Sequence, residues 1–134
     1  IVQEYLSNDN KEYTCGTISI NGDYRSIVLR RKLKDGNTAI AIHEMGNKKI
    51  EDYLSQVNSK LNTFGPCNYQ LRIDKKGNPK IFEINLRHSG TSYIRSLFGF
   101  HEVDFLINKI LFNKEVKFNF KYGKVIRYFE EKLI

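Results

Sequence analysis

The hydrophobic and polar positions follow two different periods along the chain. In the first third, apolar and β-branched residues come in short stretches cut by Asn, Asp and Gly, which predicts strands and tight turns. Val2 to Leu6 reads as a short strand, and Ser7 to Lys11 as a polar turn. Glu12 to Ile20 reads as a second strand, rich in Tyr, Thr and Ile. Asn21-Gly22-Asp23 predicts a hairpin turn into a third strand, Tyr24 to Lys34. Asp35-Gly36-Asn37 turns the chain again into a fourth, Thr38 to Met45.

The period then lengthens. Ile50, Tyr53, Leu54, Val57 and Leu61 recur at three- and four-residue spacing, which predicts an amphipathic helix. Asn47 stands where an N-cap belongs, and Glu51 and Asp52 suit the positive end of the dipole. Gly65 and Pro66 are expected to stop the helix. Two short helices are expected at Tyr93 to Phe98 and Val103 to Leu111, split by Gly99. Val116 to Phe120 and Val125 to Phe129 read as closing strands. The order of elements predicts an α+β fold, with helices packed on a largely antiparallel sheet.

One stretch combines pattern with chemistry. Cys67 to Thr91 reads as two strands around the turn Lys75-Lys76-Gly77-Asn78, closed by Pro79. Alternation puts Cys67, Tyr69, Leu71 and Ile73 on one face with Phe82, Ile84 and Leu86. The other face collects Asn68, Gln70 and Arg72 with Glu83, Asn85 and Arg87. If Asp74 lies opposite Pro79, Gln70 faces Glu83 and Asn68 faces Asn85, at Cβ separations of roughly 4.5–5.5 Å. Hard cations such as Mg²⁺ take oxygen ligands and need few carboxylates when phosphates complete the shell. The same alternation also describes an ordinary solvated strand face, with Glu83 paired to Arg72 or Arg87.

Composition narrows the classes. The chain has 134 residues, 40% hydrophobic and 28% charged, and fits one domain or a fragment of a larger protein. It opens on Ile1 inside an apparent strand, which suggests a single domain, residues 1–134, cut from a longer chain. No apolar run reaches the roughly 18–20 residues of a membrane span. Cys15 and Cys67 form no CxxC pair, and a reduced, cytoplasmic setting fits them as small core residues. The net charge of +7 suits a polyphosphate ligand or a nucleic acid. The basic residues are spread out, the densest cluster being Arg30, Arg31, Lys32 and Lys34.

Three segments then resemble the ATP-grasp superfamily, in its carbamoyl-phosphate-synthetase-like branch: VQEYL at 2–6 followed by EYT at 12–14, GPCNYQ at 65–70, and FEINLRHSG at 82–90. The resemblance is to the C-terminal part of that fold. It implies that Glu4, Tyr5 and Leu6 form the hinge beside the adenine and that Glu12 holds the ribose hydroxyls. Gln70 and Glu83 match ligands of the catalytic Mg²⁺ (or Mn²⁺) ions, with Asn85 completing the set. Arg87 matches an arginine on the transferred phosphate, and the Ser89-Gly90-Thr91 turn is expected to bind an anion and face the acceptor substrate.

The implied activity is an ATP-dependent ligase that converts a small carboxylate to an acyl phosphate, which an amine then displaces. Leu86 departs from the family's usual proline. A lysine-bearing, glycine-rich partner subdomain and an N-terminal substrate domain have no counterpart here, so the isolated chain is expected to be inactive. Arg30 or Arg31 is a candidate substrate contact, as is His88, while His43 reads as a hydrogen-bonded core residue. Two other readings compete: a nucleic-acid module with Tyr24, Tyr69 and Tyr93 as stacking platforms, and a non-catalytic interaction domain. The strand at 2–6 offers an edge for pairing with a second copy.

Overall fold

A computed structural model describes residues 2–6 and 11–128. Six antiparallel strands form one sheet in the order β5-β4-β1-β2-β3-β6. They are β1 (Glu12–Ile20), β2 (Asp23–Lys34), β3 (Asn37–His43), β4 (Gly65–Ile73), β5 (Pro79–Asn85) and β6 (Gly123–Ile126). Helix α1 (Lys48–Leu61) lies between β3 and β4, and α2 (Ser92–Leu97) and α3 (Glu102–Phe112) follow β5. The α+β arrangement expected from the sequence is what the chain adopts.

Period-two alternation splits the sheet between two cores. Cys15, Val28, Cys67, Tyr69 and Leu71 pack against Ile50 and Leu54 of α1. Ile18, Ile20, Ile27, Leu29 and Ala41 face the other way and pack against Ile94, Phe98, Phe100 and Phe105. That second face is apolar only over part of its area. Toward β4 and β5 it becomes polar, and the candidate site lies there.

Several expectations fail for local reasons. Residues 2–6 form no strand; Val2 and Tyr5 project into solvent. Asn47 does not cap α1 with its side chain, which donates instead to the Glu44 carbonyl. The helix ends at Asn62, in the left-handed region, before Gly65 and Pro66 are reached. Both of those residues belong to β4, where Pro66 pairs with Ile18. Pairing with β5 begins only at Asn68, so Pro66 has no strand on that side to disappoint.

The segment 116–120 is not a strand either. Phe118 and Phe120 stack on Phe100, at centroid distances of 5.1 and 6.3 Å. The Lys121 N–H donates to the Phe98 carbonyl at 2.9 Å. Gly99 makes this approach possible: a Cβ there would sit 2.0 Å from the Asn119 carbonyl oxygen. The last strand is Gly123–Ile126, paired with β3; Phe129, expected in it, lies outside the described residues.

Candidate functional site

The hairpin β4–β5 carries the site, and a bulge sets its register. At the turn Ile73, not Asp74, lies opposite Pro79, so the expected pairing is one residue out. The shift persists to Leu71, opposite Ile81. One extra residue, Phe82, then enters β5, and Gln70 comes to face Glu83, with Asn68 facing Asn85. Without the bulge, alternation would have turned Glu83 to the other face. Ile81 therefore packs with the α1 core in place of Phe82, whose ring lies 5.7 Å from the Arg72 guanidinium. Leu86, assigned to the apolar face, is exposed.

A cavity of about 210 Å³ opens above this surface. Gln70, Glu83, Asn85 and Arg87 line it, as the sequence suggested, together with Asn68, Arg31, Arg127 and the Ser89–Thr91 turn. The Asn85 amide donates to Glu83 Oε1 at 2.7 Å. Gln70 donates through Nε2 to Thr14 Oγ1 at 3.3 Å, while its Oε1 is buried with no hydrogen-bond partner. An orphaned oxygen costs about 1–3 kcal/mol unless something fills its coordination. One carboxylate and two amides offer oxygens to a single cavity, a donor set that fits Mg²⁺. Among the described residues no group of three or more His, Cys, Asp or Glu could hold a metal, so an ion here depends on the amide oxygens and on ligand phosphates.

Strand parity separates the two candidate arginines. Arg30 points away from the cavity and pairs with Glu44 at 2.9 Å. Arg31 lines the cavity and pairs with Glu12 at 2.6 Å. Glu12 is buried between two guanidiniums: Oε1 accepts from Arg31 and Oε2 from Arg72, also at 2.6 Å. Both oxygens of the residue expected at the ribose are thus already engaged.

Glu4, Tyr5 and Leu6 line a separate groove of about 470 Å³ with Ile73, Asp74 and four lysines: Lys11, Lys75, Lys76 and Lys80. Arg72 donates to the Leu6 carbonyl, which ties this segment to the Glu12 pair. The turn 89–91 binds itself: Ser89 N–H donates to Ser92 Oγ, Thr91 N–H to Ser89 Oγ and Ser92 N–H to the Ser89 carbonyl. The Ser89 and Thr91 amides of the turn are thus engaged within it.

The residue least visible in the sequence is Arg95. It is fully buried beneath the site and donates to Asn68 Oδ1 at 2.5 Å and to Glu102 Oε2 at 3.4 Å. Burial pushes its pKa down, and Glu102 opposes that shift. Glu102 also accepts from Ser92 and meets His88 Nδ1 at 3.2 Å, so His88 serves this network. His43 is buried, with Nδ1 2.7 Å from the Lys121 carbonyl and its ring stacked on Tyr122. An arginine on a helix that faces the sheet gives no motif; only Gly16 on β1, left open for it, offers a signal.

The family described as "ATP-grasp in the biosynthetic pathway with Ter operon" matches residues 1–131. The chain belongs to the ATP-grasp superfamily. Solved structures share its fold. An L-amino acid ligase from Bacillus licheniformis superposes with a TM-score of 0.63 at 20% identity, over 81% of this chain and 30% of that one. The ADP complex of N5-carboxyaminoimidazole ribonucleotide synthetase gives 0.55 at 17%, over 62% and 24%. The Staphylococcus aureus N5-carboxyaminoimidazole synthetase with ADP gives 0.54 at 18%, over 67% and 26%. The ATP-grasp chain thus spans less than a third of these relatives' length. No curated protein matches it. No described helix is long and apolar enough to cross a membrane.

Proposed function

We propose that this chain is the metal- and phosphate-binding part of an ATP-dependent carboxylate–amine ligase of the carbamoyl-phosphate-synthetase-like branch, working in the cytoplasm. The observation that carries this reading is the pairing of Gln70 with Glu83 beside Asn85 and Arg87, with the Gln70 oxygen unpartnered.

In this reading Gln70, Glu83 and Asn85 hold Mg²⁺, which when bound neutralises charge on the ATP phosphates. Glu4, Tyr5 and Leu6 flank the adenine. Glu12 takes the ribose hydroxyls by exchanging a guanidinium contact, which turns Arg31 toward the phosphates. Arg87 holds the transferred phosphoryl oxygens in its planar fork. A substrate carboxylate oxygen attacks the γ-phosphorus, and the bond to the β-phosphate oxygen breaks, releasing ADP. An amine then attacks the acyl carbon, loses a proton, and expels phosphate. Positioning and charge neutralisation suffice, so no protein nucleophile is needed.

The chain holds half a nucleotide site and depends on further subdomains of its protein for turnover. Calorimetric titration of the chain with Mg·ATP tests this, with Glu83→Gln as control. We expect weak binding that the substitution reduces by roughly tenfold, as the loss of one charge-assisted ligand implies. Equal binding by both proteins, or tighter binding of an oligonucleotide than of Mg·ATP, overturns the assignment in favour of a nucleic-acid or interaction module.

A further inference from the structure

Arginine pairing divides the seven arginines of the chain into two groups. Arg25, Arg30, Arg31, Arg72 and Arg95 each have a carboxylate within ion-pair distance, from Asp23, Glu44, Glu12, Glu12 and Glu102. Arg87 and Arg127 have none among the described residues. Both line the site cavity. Both are fixed by one backbone acceptor of the same loop, Arg87 by the His88 carbonyl and Arg127 by the Gly90 carbonyl. A guanidinium carries five donors, so each keeps most of its fork for something else. Among the described residues, five arginines are paired and the two that are not line one cavity, an arrangement suited to two anionic groups.

The two arginines differ in what lies beyond them. Arg87 stands beside Glu83 and Asn85. Arg127 is also a wall of a second cavity of about 420 Å³, with Lys34, Thr38, Ala39 and Tyr128. Thr38 and Asn37 are common to both cavities, so Arg127 stands at their junction. The strand places it there: the Arg127 N–H donates to the Ala39 carbonyl at 2.8 Å, continuing the β3–β6 pairing. The second cavity mixes the Ala39 methyl and the Tyr128 ring with two cations, Lys34 and Arg127, and one carboxylate, Asp35.

We propose that this second cavity binds the carboxylate substrate, a small organic acid with an apolar tail. Arg127 takes the carboxylate and the tail lies along Ala39 and Tyr128. The inference rests on the ligase reading of the first cavity, which supplies the phosphate that the carboxylate must meet. Arg127 is then a substrate-binding residue that aims the carboxylate toward the Arg87 side.

The test is a titration of the ¹⁵N-labelled chain, followed by NMR, with acetate, hexanoate, phenylacetate and inorganic phosphate in turn. Hexanoate and phenylacetate are expected to shift the Arg127 Nε–H and the amides of Ala39 and Tyr128, and to bind more tightly than acetate. Arg127→Met is expected to weaken hexanoate by roughly tenfold or more, the scale of a lost charge-assisted contact. Tyr128→Ala, at an exposed position that leaves the fold intact, is expected to remove the preference for hexanoate over acetate. Phosphate shifting Arg127 while the carboxylates do not would make Arg127 part of the phosphate site and overturn the proposal. So would silence from all four probes, or an unchanged hexanoate affinity in Arg127→Met. If carboxylates bind as expected but Mg·ATP leaves Gln70 and Glu83 unmoved, the ligase reading fails and the carboxylate site stands.

Discussion

Arg95 lies against Gly16 so closely that a Cβ on the glycine would sit 2.7 Å from the guanidinium. The glycine on β1 is the seat of a fully buried cation that reaches across to Asn68 on β4 and back to Glu102 on α3. A position without a side chain in one strand thus makes room for the hydrogen bonding of another strand's site face.

Removing one member of that pair should be costly. Arg95→Met leaves Glu102 buried beside Ser92 and His88 without its cation, and we expect a loss of about 3–5 kcal/mol in chemical denaturation. Gly16→Ala should destabilise by about 1–3 kcal/mol through overpacking against the guanidinium. A Gly16→Ala chain as stable as the parent would mean that Arg95 does not rest there.

The two neighbouring arginines should behave differently. Arg30 and Glu44 are both about a third exposed, and Arg30→Ala is expected to cost no more than about 1 kcal/mol. Arg31 and Glu12 are nearly buried, at 11% and 6% exposure, and Arg31→Ala should cost at least about 2 kcal/mol more than Arg30→Ala. Urea midpoints of the two variants decide this, and equal midpoints would refute the parity that the structure assigns.

Stability should also fall in alkali. Burial pushes the Cys15 thiol from 9.0 up to about 12. The native state therefore holds this proton while the unfolded state releases it. The stabilisation is fully present below about pH 8.5, the ordinary range of a free thiol, and is lost progressively as pH rises toward the folded value. Between pH 9 and 10 the Cys15 share of the loss is on the order of 1 kcal/mol, and Cys15→Ala should remove that share, leaving the part due to Cys67, whose thiol burial also pushes up. Thiol labelling of the native chain should be correspondingly slow at neutral pH, because the thiolate is the reactive form. Rapid labelling of Cys15 would contradict its burial.

Asp74, Gln70 and Glu83 show how local rules and their sum can part company. The polar alternation on the first hairpin strand, and the turn around Gly77, could be read directly, because side-chain parity and turn chemistry are properties of neighbouring residues. So could the α1 face of Ile50 and Leu54, and the motif that ties the chain to ATP-grasp proteins. The expected pairing of Gln70 with Glu83 came from a turn register that was one residue out. The Phe82 bulge returned the strands to it. A bulge has no local signature in Ile81-Phe82; it depends on which of the two side chains the core under α1 accepts.

The sequence by itself determined the α+β class, the helices and strands β1 to β5 and the identity of the oxygen donors, since these follow from periodicity and side-chain chemistry within a few residues. Only the tertiary structure decided which charges are spent internally. Glu12 is held by Arg31 and Arg72, Arg95 disappears under Gly16, and Arg127 arrives at the site from the far end of the chain. Ion pairing depends on distance and burial, and residues 12, 31 and 72 become neighbours only when three strands align.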